Sequence, residues 1–278
     1  MRLATIRLPG RTSAVRIESD HAVELAFDDV GQLLQAPDWR ERAEAGAGPA
    51  RELAGLDYAP VVPHPDKIVC VGLNYRNHIL EMGRGLPDHP TLFAKYSGAL
   101  IGANDDIVLP AESEAMDWEA ELGVVVGSPL RRAGRDQAAA AIAGYTIVND
   151  ITARDWQYRT LQWLQGKTFE ATTPAGPWLT TGDDDAGSVS APLSCEVDGE
   201  LVQNADTADL VFDPAALLAY ISTIITLRPG DLIATGTPGG VGHARKPPRY
   251  LVDGSLVVTR IGGLGECRNR CVTEKPAG

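Results

Sequence analysis

The chain has 278 residues, 44% hydrophobic and 22% charged, enough for one sizeable core or a small domain beside a larger one. A formal net charge of −12 argues against a nucleic-acid partner, whose phosphates would be repelled. No window approaches the roughly 20 apolar residues of a membrane span, and four scattered cysteines make no disulfide framework. Met1–Arg7 lacks the long apolar core of a signal peptide, so the expected setting is cytoplasmic, with neither membrane nor nucleic acid as partner.

Taken in order, residues 1–44 give short strand-like runs and a helix starting near Asp28-Asp29, whose carboxylates suit a helix N-terminus. From Ala45 to Pro65 the composition turns to Ala, Gly and Pro, as in a linker or covering arm. This predicts a small N-terminal α+β domain with linker over residues 1–62 and a larger domain over 63–278. Lys67–Gly72 reads as a buried strand running into a helical stretch from Leu73 to Met82, followed by a polar, glycine- and proline-containing segment. Asp136–Ile142 is alanine-rich and helical, and Gly144–Val148 is a β-rich run ending at Asn149-Asp150. Thr152–Gln165 is expected to be helical, with Trp156, Leu161, Trp163 and Leu164 as apolar anchors. Asp198-Gly199 between two strand-like runs signals a hairpin. Asp213-Pro214 supplies a cap and a first-turn proline for a later helix. The sum is β-rich α+β, with irregular order rather than regular α/β winding.

The most informative stretch is Asp117-Trp118-Glu119-Ala120-Glu121-Leu122-Gly123-Val124-Val125-Val126. Strand alternation puts Asp117, Glu119 and Glu121 on one side and Ala120, Leu122, Val124 and Val126 on the other. Like charges beside an apolar run are unfavourable unless a cation or a wet cavity compensates. The alternative is a strand end with a solvated acidic face. Asp150 closes the next buried run and faces Glu119 and Glu121 if the two strands are neighbours. Three carboxylates make an all-oxygen set, which favours Mg²⁺, then Mn²⁺ or Ca²⁺.

His78 and Glu81 share a face if their stretch is helical. A carboxylate beside an imidazole raises its basicity, making a general-base dyad, whereas the plainer reading is a surface histidine with an incidental ion pair. On a helix Asp150, Arg154 and Gln157 would share a face, with Lys167 further on. Gly236–Gly242 is glycine-rich without a phosphate-loop Gly-Lys-Ser/Thr, and reads as a tight turn presenting N–H groups and one hydroxyl.

Together these stretches resemble the fumarylacetoacetate hydrolase family from about Lys67 to the C-terminus. The resemblance rests on Val71-Gly72-Leu73-Asn74-Tyr75-x-x-His78, Asp117-Trp118-Glu119-Ala120-Glu121-Leu122, and Asn149-Asp150-x-x-Ala153-Arg154-Asp155-x-Gln157. It continues through Gly166-Lys167-x-Phe169, Gly176-Pro177-Trp178 and Thr235-Gly236-Thr237-Pro238-x-Gly240-Val241-Gly242. It implies a β-rich catalytic domain of mixed sandwich or roll type, usually homodimeric, with Mg²⁺ or Mn²⁺ on Glu119, Glu121 and Asp150. His78, Glu81 and Lys167 become the catalytic set, and Arg154, Gln157, Thr237, Asn74 and Tyr75 the substrate-contacting set. Longer, animal-type members have a further metal-ligand Asp upstream of the histidine. Gly72-Leu73-Asn74 offers none, which places this chain with the shorter bacterial members. The expected activity is hydrolysis of a carbon–carbon bond in an acylpyruvate such as fumarylpyruvate, a small 2,4-dioxo acid from aromatic-compound breakdown. The alternatives are oxaloacetate decarboxylation and isomerisation of a 2-hydroxy-dienedioate through the same enolate.

Overall fold

The computed structural model describes residues 1–81, 83–182 and 190–275; Met82, at the end of the expected helical run, lies outside them. The acidic, valine-rich stretch forms the strand Ala120–Val126, in which every residue is buried. A strand of this composition needs apolar cover on both faces. Ala120, Leu122, Val124 and Val126 cluster with Leu193, Val197 and Val257 of a second sheet. Val125 joins the opposite cluster, with Val30, Leu33 and Leu34 of the N-terminal helix Val30–Leu34. The strand therefore lies in the middle layer of the molecule.

Among the described residues the main sheet has 11 strands. Ile142–Asn149 pairs antiparallel with Ala120–Val126, Ala120 opposite Asn149, so the two acid-bearing strands are neighbours. Leu232–Ala234 flanks the other side, and Ile68–Gly72 and Thr91–Lys95 follow outward. A second sheet of five strands carries Glu200–Asp206, Pro192–Val197, Leu256–Ile261, Gly265–Thr273 and Ile107–Leu109. The β-rich α+β class expected from the sequence is what the chain adopts.

The N-terminal strands continue the main sheet. Arg2–Leu8 pairs antiparallel with Thr173–Thr181, Arg2 opposite Thr180, and three further strands extend outward from it. The segment around residues 45–65 covers the sheet. Ala59 N–H donates to the Thr5 carbonyl at 3.0 Å and Val61 N–H to Ala175 at 2.9 Å. Asp198 and Gly199 both take positive φ, 55° and 81°, in the hairpin between Pro192–Val197 and Glu200–Asp206. Asp213 caps Pro214–Ile224 by accepting the Ala216 N–H.

Thr152–Gln165 is not the helix its apolar spacing predicts. Thr152 and Ala153 pair with Asp117 and Met116, leaving two single turns, Arg154–Gln157 and Leu164–Lys167. The second turn packs onto the first at Gly166, where a Cβ would lie 2.3 Å from the Gln157 nitrogen. Tertiary pairing overrides local propensity here, and Leu161, an expected anchor, is 98% exposed. Among the described residues no helix is long and apolar enough to cross a membrane.

Candidate active site

Glu119, Glu121 and Asp150 each offer a carboxylate oxygen within 4.8 Å of the others, and all three are buried. Main-chain bonds build this arrangement. Asp150 N–H donates to the Glu119 carbonyl at 2.8 Å, and Glu119 N–H donates to the Asn149 side-chain oxygen at 2.9 Å. The Gly236 N–H, in the glycine-rich turn where φ is +101°, donates to Glu121 Oε2 at 2.7 Å. Asp117 does not join the cluster. The strand breaks at Trp118, and the Asp117 carboxylate accepts from the Gly242 and His243 N–H groups at 2.7 and 2.9 Å.

Three buried cations answer these acids. Lys167 Nζ lies 2.7 Å from Glu119 Oε2 and 2.8 Å from Asp150 Oδ2. Lys95 Nζ, 1% exposed, lies 2.5 Å from Asp150 Oδ1. Arg154 bridges Asp117 at 2.8 Å and Glu119 at 2.7 Å. Burial opposes ionisation of Asp150, but Lys167 and Lys95 hold its carboxyl below the usual range. Burial also works against the charge on Lys167, yet Asp150 and Glu119 keep its pKa above the usual lysine value.

Glu121 is the exception. Among the described residues no cationic side chain pairs with it, and burial, followed by Asp150 and Glu119, pushes its carboxyl well above the usual range. A buried carboxylate with a backbone N–H and no ion-pair partner among the described residues calls for more positive charge. With three carboxylates converging, the cluster fits a divalent cation.

Above the cluster lies a cavity of about 340 Å³, lined among others by His78, Arg84, Glu119, Arg154, Gln157, Thr237 and Lys167. His78 sits on the helix Arg76–Glu81. The expectation that Glu81 makes it more basic is only half met. Burial dominates and lowers the His78 pKa below its ordinary 6.5, with Glu81 acting in the opposite direction. The two side chains flank Gly239, where a Cβ would lie 3.2 Å from His78 Nδ1 and 3.5 Å from Glu81 Oε2. Burial therefore favours the uncharged imidazole at neutral pH.

Of the other expected site residues, Gln157 reaches the cavity with its Oε1 accepting from Arg154 Nη1 at 2.9 Å. Thr237 also lines it, but its hydroxyl donates to the Ala120 carbonyl and accepts from Gln203. Asn74 and Tyr75 do not line it. The Asn74 amide ties Phe212 to Thr235, and Tyr75 is 1% exposed in the core between the sheets. Sequence reasoning missed Lys95, whose only signal is a lysine closing the apolar run Leu92-Phe93-Ala94. It also missed the aromatic wall. Trp163 packs edge-on to Phe93 at 5.4 Å and against Gly72, where a Cβ would meet its ring at 2.5 Å. His243 also lines the cavity, with Tyr158, and hydrogen-bonds Tyr250 at 2.8 Å.

Residues 67–272 match the family model for the fumarylacetoacetate (FAA) hydrolase C-terminal region. The chain is 42% identical over 232 residues to the mitochondrial oxaloacetate tautomerase Fahd2a of Rattus norvegicus, covering 83% of this chain and 74% of that one. The human counterpart, oxaloacetate tautomerase FAHD2A, is 41% identical over 233 residues, with the same coverage of 83% and 74%. Among solved structures, fumarylacetoacetate hydrolase from Exiguobacterium antarcticum superposes with a TM-score of 0.88 at 30% identity, covering 99% of this chain and 100% of that one. The 5-carboxymethyl-2-hydroxymuconate delta-isomerase of Mycobacterium smegmatis gives a TM-score of 0.83 at 33% identity, with coverage of 99% and 100%.

Proposed function

Since this chain belongs to the fumarylacetoacetate hydrolase family, we propose that it interconverts the enol and keto forms of a small 2-oxo acid, with oxaloacetate as the leading substrate. The observation that carries this reading is the shared cavity. An uncharged His78 faces the same space as Glu119 and the protonated Lys167. Tautomerisation asks only that one proton leave carbon and one reach oxygen, and this pair supplies an acceptor and a stabilising cation.

In the keto-to-enol direction His78 accepts the proton from C3, and the C–H electron pair becomes the C2–C3 double bond. The C2 carbonyl electrons move onto oxygen, which then takes up the proton from His78, leaving the imidazole uncharged again. Lys167 has three N–H donors, two of them held by Glu119 and Asp150, leaving one for the developing oxyanion. A divalent cation on Glu119, Glu121 and Asp150 would supply further positive charge to the enolate. Arg154, held between Asp117 and Glu119, keeps Glu119 in place and adds charge to the cavity wall.

Decay of the enol absorbance of freshly dissolved oxaloacetate, followed with Mg²⁺ or Mn²⁺ present, tests the reading. Acceleration that is lost in His78→Ala supports it; a rate equal to buffer in the wild type overturns it. Acylpyruvate hydrolysis is the second reading, favoured by the likeness to the Exiguobacterium hydrolase. It requires His78 to activate a water, and loss of a 2,4-dioxo acid such as fumarylpyruvate would reveal it on the same preparation.

A further inference from the structure

We propose that Arg84 selects for a second, distal carboxylate on the substrate, so that the cavity prefers 2-oxo dicarboxylic acids to 2-oxo monocarboxylic acids. This rests on the reading of the site as one for 2-oxo acids. Arg84 lines the cavity, although it follows the helix Arg76–Glu81 rather than lying in it. The backbone fixes its position. Gly83 N–H donates to the Leu80 carbonyl at 2.9 Å, and Arg84 N–H donates to the Ile79 carbonyl at 3.2 Å. This nested pair closes the helix and needs a left-handed residue, which Gly83 supplies at φ +68°. Because the same helix carries His78, the closing turn sets Arg84 in register with the proton acceptor.

The distribution of charge then singles Arg84 out. Lys167 is held by Glu119 and Asp150, and Arg154 by Asp117 and Glu119. Among the described residues the Arg84 guanidinium has no carboxylate within ion-pair distance and no hydrogen-bond partner. Its charge nevertheless reaches the site, where it is one of the influences that depress His78. Leu73, Phe93, Trp163 and Val241 make the nearby wall apolar and offer an anion nothing. A divalent cation held by Glu119, Glu121 and Asp150 would take the carboxylate and keto end of a 2-oxo acid. A second carboxylate elsewhere on the substrate is left with Arg84, whose planar fork can accept it through two hydrogen bonds.

The test is binding of a matched pair to the full-length, Mn²⁺-loaded protein by calorimetry. 2-Oxoglutarate and 2-oxopentanoate differ only in a terminal carboxylate against a methyl group. The wild type should prefer the dicarboxylate, and Arg84→Ala should shrink that preference by about tenfold or more, the usual weight of a charge-assisted hydrogen bond. Arg84→Lys should retain part of it. A thermal melt alongside verifies that the exposed substitution leaves the fold unchanged. An unchanged affinity ratio in Arg84→Ala, or no preference in the wild type, overturns the proposal. An Arg84-dependent preference without enol–keto turnover leaves the proposal standing and removes the tautomerase reading instead.

Discussion

The Asp150 N–H donates to the Glu119 carbonyl at 2.8 Å, so these two acids are joined through the main chain as well as through Lys167. Their carboxylates are held together before any cation arrives. The like-charge repulsion this creates is met by Lys95, Lys167 and Arg154, which leaves Glu121 as the acid without a cationic partner among the described residues.

Glu121→Gln keeps the side-chain volume and removes the acid that burial pushes well above the usual carboxylate range. Without a divalent ion the variant should melt at or above the wild-type temperature, since an unpaired buried carboxylate opposes folding. Added Mn²⁺ should raise the melting temperature of the wild type and far less that of the variant. An equal Mn²⁺-induced rise in both would exclude Glu121 as a ligand.

Lys95→Met should act in the opposite direction. Breaking a buried pair from one side costs about 3–5 kcal/mol, and here Lys167 remains to offset part of it. Chemical denaturation should therefore show clear destabilisation of the metal-free protein. Mn²⁺ should recover more stability in this variant than in the wild type, because the ion also answers Asp150. A wild-type midpoint for Lys95→Met would mean that the pair at Asp150 Oδ1 contributes little.

With His78 as the proposed proton acceptor, its titration should govern the pH profile. Its pKa lies below 6.5 in the folded protein, so the unfolded chain binds more protons just below that pH. The contribution of this group to stability therefore falls as pH is lowered through 6.5 toward the folded value. The uncharged acceptor persists into mildly acidic solution, so the acid limb of kcat/KM should lie below pH 6.5. Glu81→Gln removes an influence that raises the pKa and should move that limb lower still. An acid limb at or above 6.5 would contradict a half-buried, uncharged His78. His78→Ala should lower the rate by about 10²–10⁴-fold, the range for a lost general base.

Gly72→Ala tests the aromatic wall. The added methyl would lie 2.5 Å from the Trp163 ring, so the indole must move. Overpacking of this kind costs about 1–3 kcal/mol. Displacing Trp163 reshapes the cavity, and KM should rise more than kcat falls. Unchanged kinetics would show that Trp163 does not bound the substrate.

Much of the fold could be read from the chain because local and global preferences agree there. The valine run, the Asp198-Gly199 turn and the Asp213-Pro214 cap each specify one geometry, and each is found. The acidic cluster was legible for a related reason: carboxylates spaced two apart beside an apolar strand need an explanation that solvent alone does not give. The misreadings come from tertiary contacts. Thr152–Gln165 has helical spacing, but pairing with Met116–Asp117 claims its first residues. Asn74 and Tyr75 are neighbours of His78 in sequence, yet both turn into the body of the protein. Lys95 ends an apolar strand, where lysines usually reach water; only the position of Asp150 across the site shows that this one does not.

The N-terminal strand has a consequence for handling the protein. Arg2–Leu8 occupies the outer side of Thr173–Thr181, and the helix Val30–Leu34 covers the face that carries Val125, Ala143 and Val148. Trimming the chain to the family-matched residues 67–272 would bare a row of unpaired main-chain groups and an oily face beside it. Such a fragment would be adhesive to copies of itself. The first 60 or so residues thus cover the edge and face most prone to self-association, and any shortened form of the protein should keep them.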